Sequence, residues 1–410
     1  MLQTALQSTL SPVISAFARG PTAQSAAVKC INQIGFVNPT MLLVFCGGKL
    51  SGSDVLDVLK KRYGDIPIIG GAAAGGISRT GYGYSGMELT VLAILDPALT
   101  PHVFVEPNLD AGEYEAGRKL AQQMRPHFED GDIVTLWFDS VASSNPPKLH
   151  HGSEIVAGFY EGCGGTRPQV FGGGLLTDIN LSEGWVFDGS QVRHHAVVGL
   201  AWPSVLTAET IVMNGCVPAS VFLEITRIDG AVVYELDGKP ALEVLEGLLS
   251  YSMTAPNAAE PLSLRATLGQ KQGDPYAPFS EGNYVNRLIL SADRTAGSVT
   301  LFEPDFTCGS KVQVMARNNQ LMIDSVRQGV ETANSIVRIC DSVMAVYIDC
   351  AGRASVRSGS PVEEAELLAN ELDKSVPLVG FYSGVEIAPF GTSPRALDWT
   401  GLLAIIRYRQ

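Results

Sequence analysis

Charge, and positive charge above all, is scarce in this 410-residue chain. Only 17% of positions are charged, against a usual quarter, and 29 Lys and Arg face 42 Asp and Glu. A net charge of −13 leaves no basic stripe to neutralise phosphates, which argues against nucleic acid as a partner and against anionic lipid surfaces. No apolar run approaches the ~18–20 residues that span a bilayer. The start, Met1-Leu-Gln-Thr-Ala, lacks a charged segment followed by an apolar one, so a cytoplasmic protein without membrane insertion is expected. The seven cysteines are odd in number and widely scattered, with no C-x-x-C pair, so reduced and mostly buried thiols are expected. Metal-ligating spacings such as H-E-x-x-H are missing, as are the G-x-S-x-G elbow of hydrolases and the G-x-x-x-x-G-K-[ST] phosphate loop.

What the chain does have is a pattern stated three times. Met41-Leu-Leu-Val-Phe-Cys-Gly47, Asp65-Ile-Pro-Ile-Ile-Gly-Gly71 and Glu88-Leu-Thr-Val-Leu-Ala-Ile94 form the first set. Asp132–Phe138, Arg167–Gly173 and Ala196–Trp202 repeat it, and Val343–Cys350, Ser375–Phe381 and Gly401–Ile406 repeat it again. Each copy reads as β-α-β-turn-β. In the first, Ser53-Asp-Val-Leu-Asp-Val-Leu-Lys-Lys-Arg62 supplies a capped amphipathic crossover between parallel strands. The expected class is α/β, with mixed sheets, helices on a face, and two domains built from these units.

Residues 1–30 read as a helical segment broken at Pro12 and Gly20-Pro21, with Val13, Ile14 and Phe17 on its apolar face. Ala111–His127 reads as a further helix, and Glu224–Glu235 as a hairpin on Asp229-Gly230. Residues 253–285, with Pro256, Pro261, Pro275 and Pro278, read as a long loop.

Several of these segments resemble the FIST family of sensory domains. Asn214-Gly-Cys-Val-Pro218, Thr226–Val244, Cys350-Ala-Gly-Arg353 and Gly380-Phe-Tyr-Ser-Gly-Val-Glu-Ile-Ala-Pro389 follow the pattern of the FIST C-terminal domain. Gly70–Ile77 stands where the N-terminal domain has its glycine-rich turn. The resemblance implies a FIST N-like domain over 31–212 and a FIST C-like domain over 213–410. It also implies a bacterial input module in signal transduction that binds a small, amino-acid-like ligand. Without a fused output segment, a separate partner such as a histidine kinase would carry the signal. A stand-alone subset of similar layout consists of haem-binding nitric oxide sensors that regulate a histidine kinase, which makes haem the alternative cofactor. Two departures matter. The Cys, Ser, Thr and Glu usual in the family's N-terminal turn are Gly71, Ala72, Ala73 and Gly76 here, and its Tyr-Gly-Glu is Gly384-Val385-Glu386. The C-terminal half is therefore the expected site.

Candidate ligand residues are Cys350, Gly352 and Arg353 past the end of an inner strand, where α/β sheets place ligands, with Tyr382, Glu386 and Arg287. Arg353 could grip a carboxylate and Glu386 accept an ammonium; alternatively Arg353 pairs with Asp349 or Glu386. Tyr382 is either a pocket wall or core, and Arg287 either a ligand residue or surface. For haem, His102, His194 and His195 adjoin strands, whereas His150-His151 reads as loop. Catalysis is not expected, and a cysteine-dependent enzyme using Cys350 and a distant histidine ranks third.

Overall fold

The computed structural model describes residues 11–249, 267–391 and 393–410. It is a mixed α/β fold, and the threefold repetition in the sequence is threefold in space. Each repeat contributes a leading strand, a helix, a central strand, a second helix, a third strand, a hairpin and a closing strand.

In the first repeat these are Val13–Arg19, Ala23–Ile34, Met41–Gly47, Gly52–Tyr63, Ile68–Ala73, the hairpin Gly76–Ser78 with Gly81–Gly83, and Glu88–Ile94. The second runs His102–Glu106, Glu113–Met124, Ile133–Asp139, Gly152–Gly162, Gln169–Leu175, Val186–Gly189 with Val192–Arg193, and Val197–Ala201. The third runs Leu206–Met213, Asn319–Ile339, Ser342–Cys350, Glu364–Glu371, Leu378–Ser383, Val385–Phe390 with Ser393–Leu397, and Gly401–Tyr408. Central and third strands pair in parallel and the closing strand pairs antiparallel, as βαβ crossovers require.

The hairpins do not stay at home. The first repeat's hairpin joins the third repeat's sheet, the second's joins the first, and the third's joins the second. The three sheets are thereby interlocked in a closed cycle. Arg79, between the two strands of the first hairpin, secures one exchange. Its guanidinium donates to the carbonyls of Ala369, Leu372, Asp373 and Val376 at 2.6, 2.9, 2.7 and 2.8 Å, at the C-terminal end of a third-repeat helix where carbonyls lack intrahelical partners.

One aromatic ring from each repeat meets inside: Phe45 and Phe381 stack at 4.1 Å, and Trp137 sets its edge to them at 5.5 and 5.8 Å. Register explains the fit. Phe45 pairs with Gly71 and Trp137 with Gly173, whereas the third repeat reverses the sizes, with Ile348 beside Phe381. Gly71 has φ +152°, and a Cβ on it would lie 2.3 Å from the Trp185 carbonyl, so both φ and space require glycine there.

Between Met213 and Asn319 the third repeat carries an insertion that rolls into an antiparallel barrel. Its strands include Leu223–Asp229, Val232–Leu236, Thr267–Lys271, Tyr284–Asp293, Ser298–Leu301 and Lys311–Arg317. It closes because Thr267–Lys271 pairs with both Tyr284–Asp293 and Lys311–Arg317, which removes a free edge.

Three expectations change. Val13, Ile14 and Phe17 lie in a strand, paired over its whole length with Glu88–Ile94, rather than on a helix. A seven-residue apolar segment cannot tell the two apart by periodicity, and the vacant sheet edge decides. The helix begins only after Thr22, whose hydroxyl accepts from the Ser25 N–H. The proline-rich stretch 253–285 falls partly outside the described residues, and its Thr267–Lys271 is the barrel's closing strand. Each repeat also proves longer by a leading strand and helix.

Candidate functional site

Register gives three equivalent places at the carboxyl ends of the paired inner strands. The first holds Gly47 beside Ala73, the second Asp139 beside Leu175, and the third Cys350 beside Ser383. At the third lies a cavity of about 360 Å³. Cys350, Gly352, Ser383 and Gly384 line it from the sheet, and Leu288, Leu290 and Phe302 from the barrel. Leu149, Leu176, Ile179 and Leu181 close it from the second repeat. A site where two repeats and an insertion meet is a common address for a small-molecule pocket.

The polar groups in this apolar setting are few. Arg357 lines the cavity, and its guanidinium donates to the Ala351 carbonyl at 2.6 Å. Among the described residues no carboxylate pairs with it, and burial lowers its pKa because the charged form loses water. Asp398 is buried at the wall; its carboxylate accepts the Leu288 N–H at 3.1 Å and lies 3.7 Å from Arg287. Burial pushes its pKa up to about 7, with Arg287 opposing and Glu303 adding to the rise. Trp399 completes the wall with φ +56°, a left-handed conformation unusual for a bulky residue. Its indole N–H is buried and has no hydrogen-bond partner among the described residues, while Arg317 covers the ring at 4.1 Å.

The expected ligand residues separate into three groups. Cys350 and Gly352 face the cavity. Burial pushes the Cys350 thiol well above its ordinary range, and the neighbouring Glu386 raises it further. Glu386 lies under the floor. It sits 2.5 Å from the Ser383 hydroxyl and accepts the Thr400 N–H at 3.3 Å, and burial holds it well above the usual carboxylate range. Arg353, Tyr382 and Arg287 are committed elsewhere. Arg353 is fully buried, bidentate on Glu364 at 2.7 and 2.6 Å and 3.3 Å from Asp349. Its remaining nitrogen donates to the Asn214 and Trp399 carbonyls, so the guanidinium is held away from the cavity rather than presented to a ligand. Tyr382 is buried and donates to Glu363 at 2.8 Å. Arg287 is not surface: it is buried, bidentate on Asp305, and faces Asp398.

Sequence reading missed Arg357, Asp398 and Trp399. Arg357 had a signal, being four residues beyond Arg353; Asp398 and Trp399 are brought in by the pairing of the closing strand, where Gly401 lies opposite Asp349 and the Cys350 N–H donates to the Thr400 carbonyl.

The histidines do not supply a haem ligand to this cavity. His102 is exposed with its ring 4.7 Å from His127. His194 is half exposed, holds the Gly184 carbonyl, and edges a polar groove with Lys49 and Ser51. His195, with φ +47°, precedes the strand Val197–Ala201 rather than lying in it. His150, read as loop, is buried and bonded to His195. None of the three candidates faces an apolar cavity among the described residues, so haem does not fit them as placed. No helix among the described residues is long and apolar enough to cross a membrane.

Comparison with known sequences matches residues 40–239 to the FIST N domain and residues 241–389 to the FIST C domain. An uncharacterised protein of Mycobacterium tuberculosis H37Rv is 28% identical over 236 residues, and one of Mycobacterium bovis 26% identical over 240. Each match covers 58% of this chain and 60% of the relative, so the chain matches less than two thirds of their length. Among solved structures, a chorismatase aligns at TM-score 0.34 and 10% identity, over 97% of this chain and 98% of that one. A cyanuric acid hydrolase from A. caulinodans aligns at 0.31 and 10%, over 97% and 99%.

Proposed function

The chain belongs to the FIST family, whose domains are signal-transduction sensory domains that bind small ligands, and from that premise we propose that it captures an amino-acid-like ligand in the cavity beside Cys350. The observation that carries this reading is Arg357, a guanidinium with no carboxylate partner among the described residues, in a mostly apolar cavity. A cation so placed favours an anionic group, and a planar guanidinium suits a carboxylate. Asp398, when ionised, offers a place for an ammonium, and Leu176, Leu288, Phe302 and Trp399 suit a large apolar side chain.

Binding rather than catalysis suits the chemistry here. A thiol held protonated by burial is a poor nucleophile, because the thiolate is the reactive form. In a cytoplasmic setting a separate signalling protein, for which a histidine kinase is the family-based candidate, would read the ligand-biased arrangement of repeat and barrel.

The test is a thermal-shift screen with large apolar amino acids beside the matching amine and the matching carboxylic acid. A ligand at a hundredfold excess over Kd stabilises by about 2.7 kcal/mol, so the amino acid should raise Tm and each half-ligand should raise it less. If no member of the set moves Tm, the reading fails.

A further inference from the structure

The hairpin of strands Val141–Ser144 and Pro147–Leu149 belongs to none of the three repeat sheets; it is a two-stranded sheet of its own. Its tip is exposed, and its last residue, Leu149, lines the cavity. Isolated two-stranded hairpins are marginal in water, so the attachments at the base matter.

Both ends are tied to one residue, His195. At the start, one oxygen of Asp139 accepts the Val141 N–H at 2.9 Å and the other accepts the His195 N–H at 2.8 Å. At the end, His150 Nε2 lies 3.0 Å from His195 Nδ1, and His150 Nδ1 lies 2.9 Å from Glu113 Oε1. His150 is 1% exposed, so water does not substitute readily for these contacts.

A contact between two imidazole nitrogens holds one hydrogen. With both rings neutral, His150 donates to Glu113 and His195 donates to His150. One added proton is tolerated, because a doubly protonated His150 donates to both neighbours. A second puts two N–H groups face to face, and the contact is lost.

We propose that Glu113, His150 and His195 form a proton-operated latch that holds the 141–149 hairpin against the cavity, closed with up to one added proton and opened by the second. Glu113, from the helix Glu113–Met124, and Asp139, from the central strand, favour protonation. His151 opposes it beside His150, with Glu303 of the barrel acting on His151. On the other side His194 opposes it, facing Glu183 at 3.9 Å. A second proton binds an already positive pair less readily than the first, so the latch opens towards the acid side.

Amide hydrogen exchange on the intact chain tests this without any ligand. After correction for intrinsic exchange, peptides covering 141–149 should lose protection about tenfold or more between pH 8 and 5, while those covering 133–138 keep theirs. His195→Asn, whose side chain tolerates the left-handed backbone, should leave the hairpin unprotected at every pH. Glu113→Gln removes the carboxylate that attracts the protons and should shift the opening to lower pH; an Asp139-driven opening would not move. Hairpin protection that is constant from pH 8 to 5, or an opening unmoved by Glu113→Gln, overturns the proposal. Faster ligand release on opening follows only if the cavity is the ligand site, and the exchange result stands apart from that reading.

Discussion

Arg353 and Glu364 meet through two nitrogen–oxygen contacts of 2.7 and 2.6 Å with neither side chain exposed. Asp349 completes the cluster, and Arg353 also holds the carbonyls of Asn214 and Trp399. An arginine suited by residue type to ligand capture thus fixes the backbone on which a cavity residue stands.

Removing one partner of a buried ion pair leaves an uncompensated charge. Arg353→Ala should therefore cost about 3–5 kcal/mol, seen as a lower urea midpoint. Arg353→Lys should restore little, because an ammonium cannot reproduce the two-pronged contact. A variant as stable as the parent would remove Arg353 from this structural role.

Arg357 should behave in the opposite way. Its guanidinium makes one backbone hydrogen bond and no ion pair among the described residues, so Arg357→Ala should change stability by about 1 kcal/mol or less. It should also abolish the thermal shift produced by a carboxylate ligand. A shift that persists would place the anion elsewhere.

Asp398 gives the protein a pH dependence of definite sign. Its folded pKa of about 7 exceeds the value near ~3.9 of an unfolded aspartate, so between those limits the folded state binds more protons and stability falls as pH rises. The loss from this group is about 4 kcal/mol at most, complete by about pH 8. Asp398→Asn keeps an acceptor for the Leu288 N–H and leaves Arg287 its Asp305, so its denaturation midpoint should vary less between pH 5 and 8. An unchanged pH profile would show that Asp398 ionises freely when folded.

Thiol chemistry separates binding from nucleophilic catalysis. Cys308 is exposed, whereas Cys350 is buried with its thiol pushed well up. Brief iodoacetamide treatment at pH 8, read by peptide mass, should label Cys308 and leave Cys350 until denaturant is added. Rapid labelling of Cys350 in the folded protein would revive the enzyme reading.

What the sequence determined by itself is the repetition and its local consequences. Apolar runs such as Met41–Gly47 and Ser342–Cys350, with helical spacing between them, specify parallel strands and crossovers, because period and burial are local properties. The small residues opposite Phe45 and Trp137 belong to that layer, as does the contrast between Gly47 with Ala73 and Cys350 with Ser383 at the strand ends. Only the tertiary structure decided where each hairpin pairs. The tertiary structure likewise set Val13–Arg19 on the sheet edge away from the exchanged hairpin, and set Asp398 and Trp399 beside Cys350 through the third repeat's own closing strand. It also committed Arg353 and Arg287 to buried acids and placed His150 against His195. A side chain's charge is written in the sequence, but its partner depends on which segments of distant number share a boundary, and that is settled by closing three sheets and a barrel around one interior.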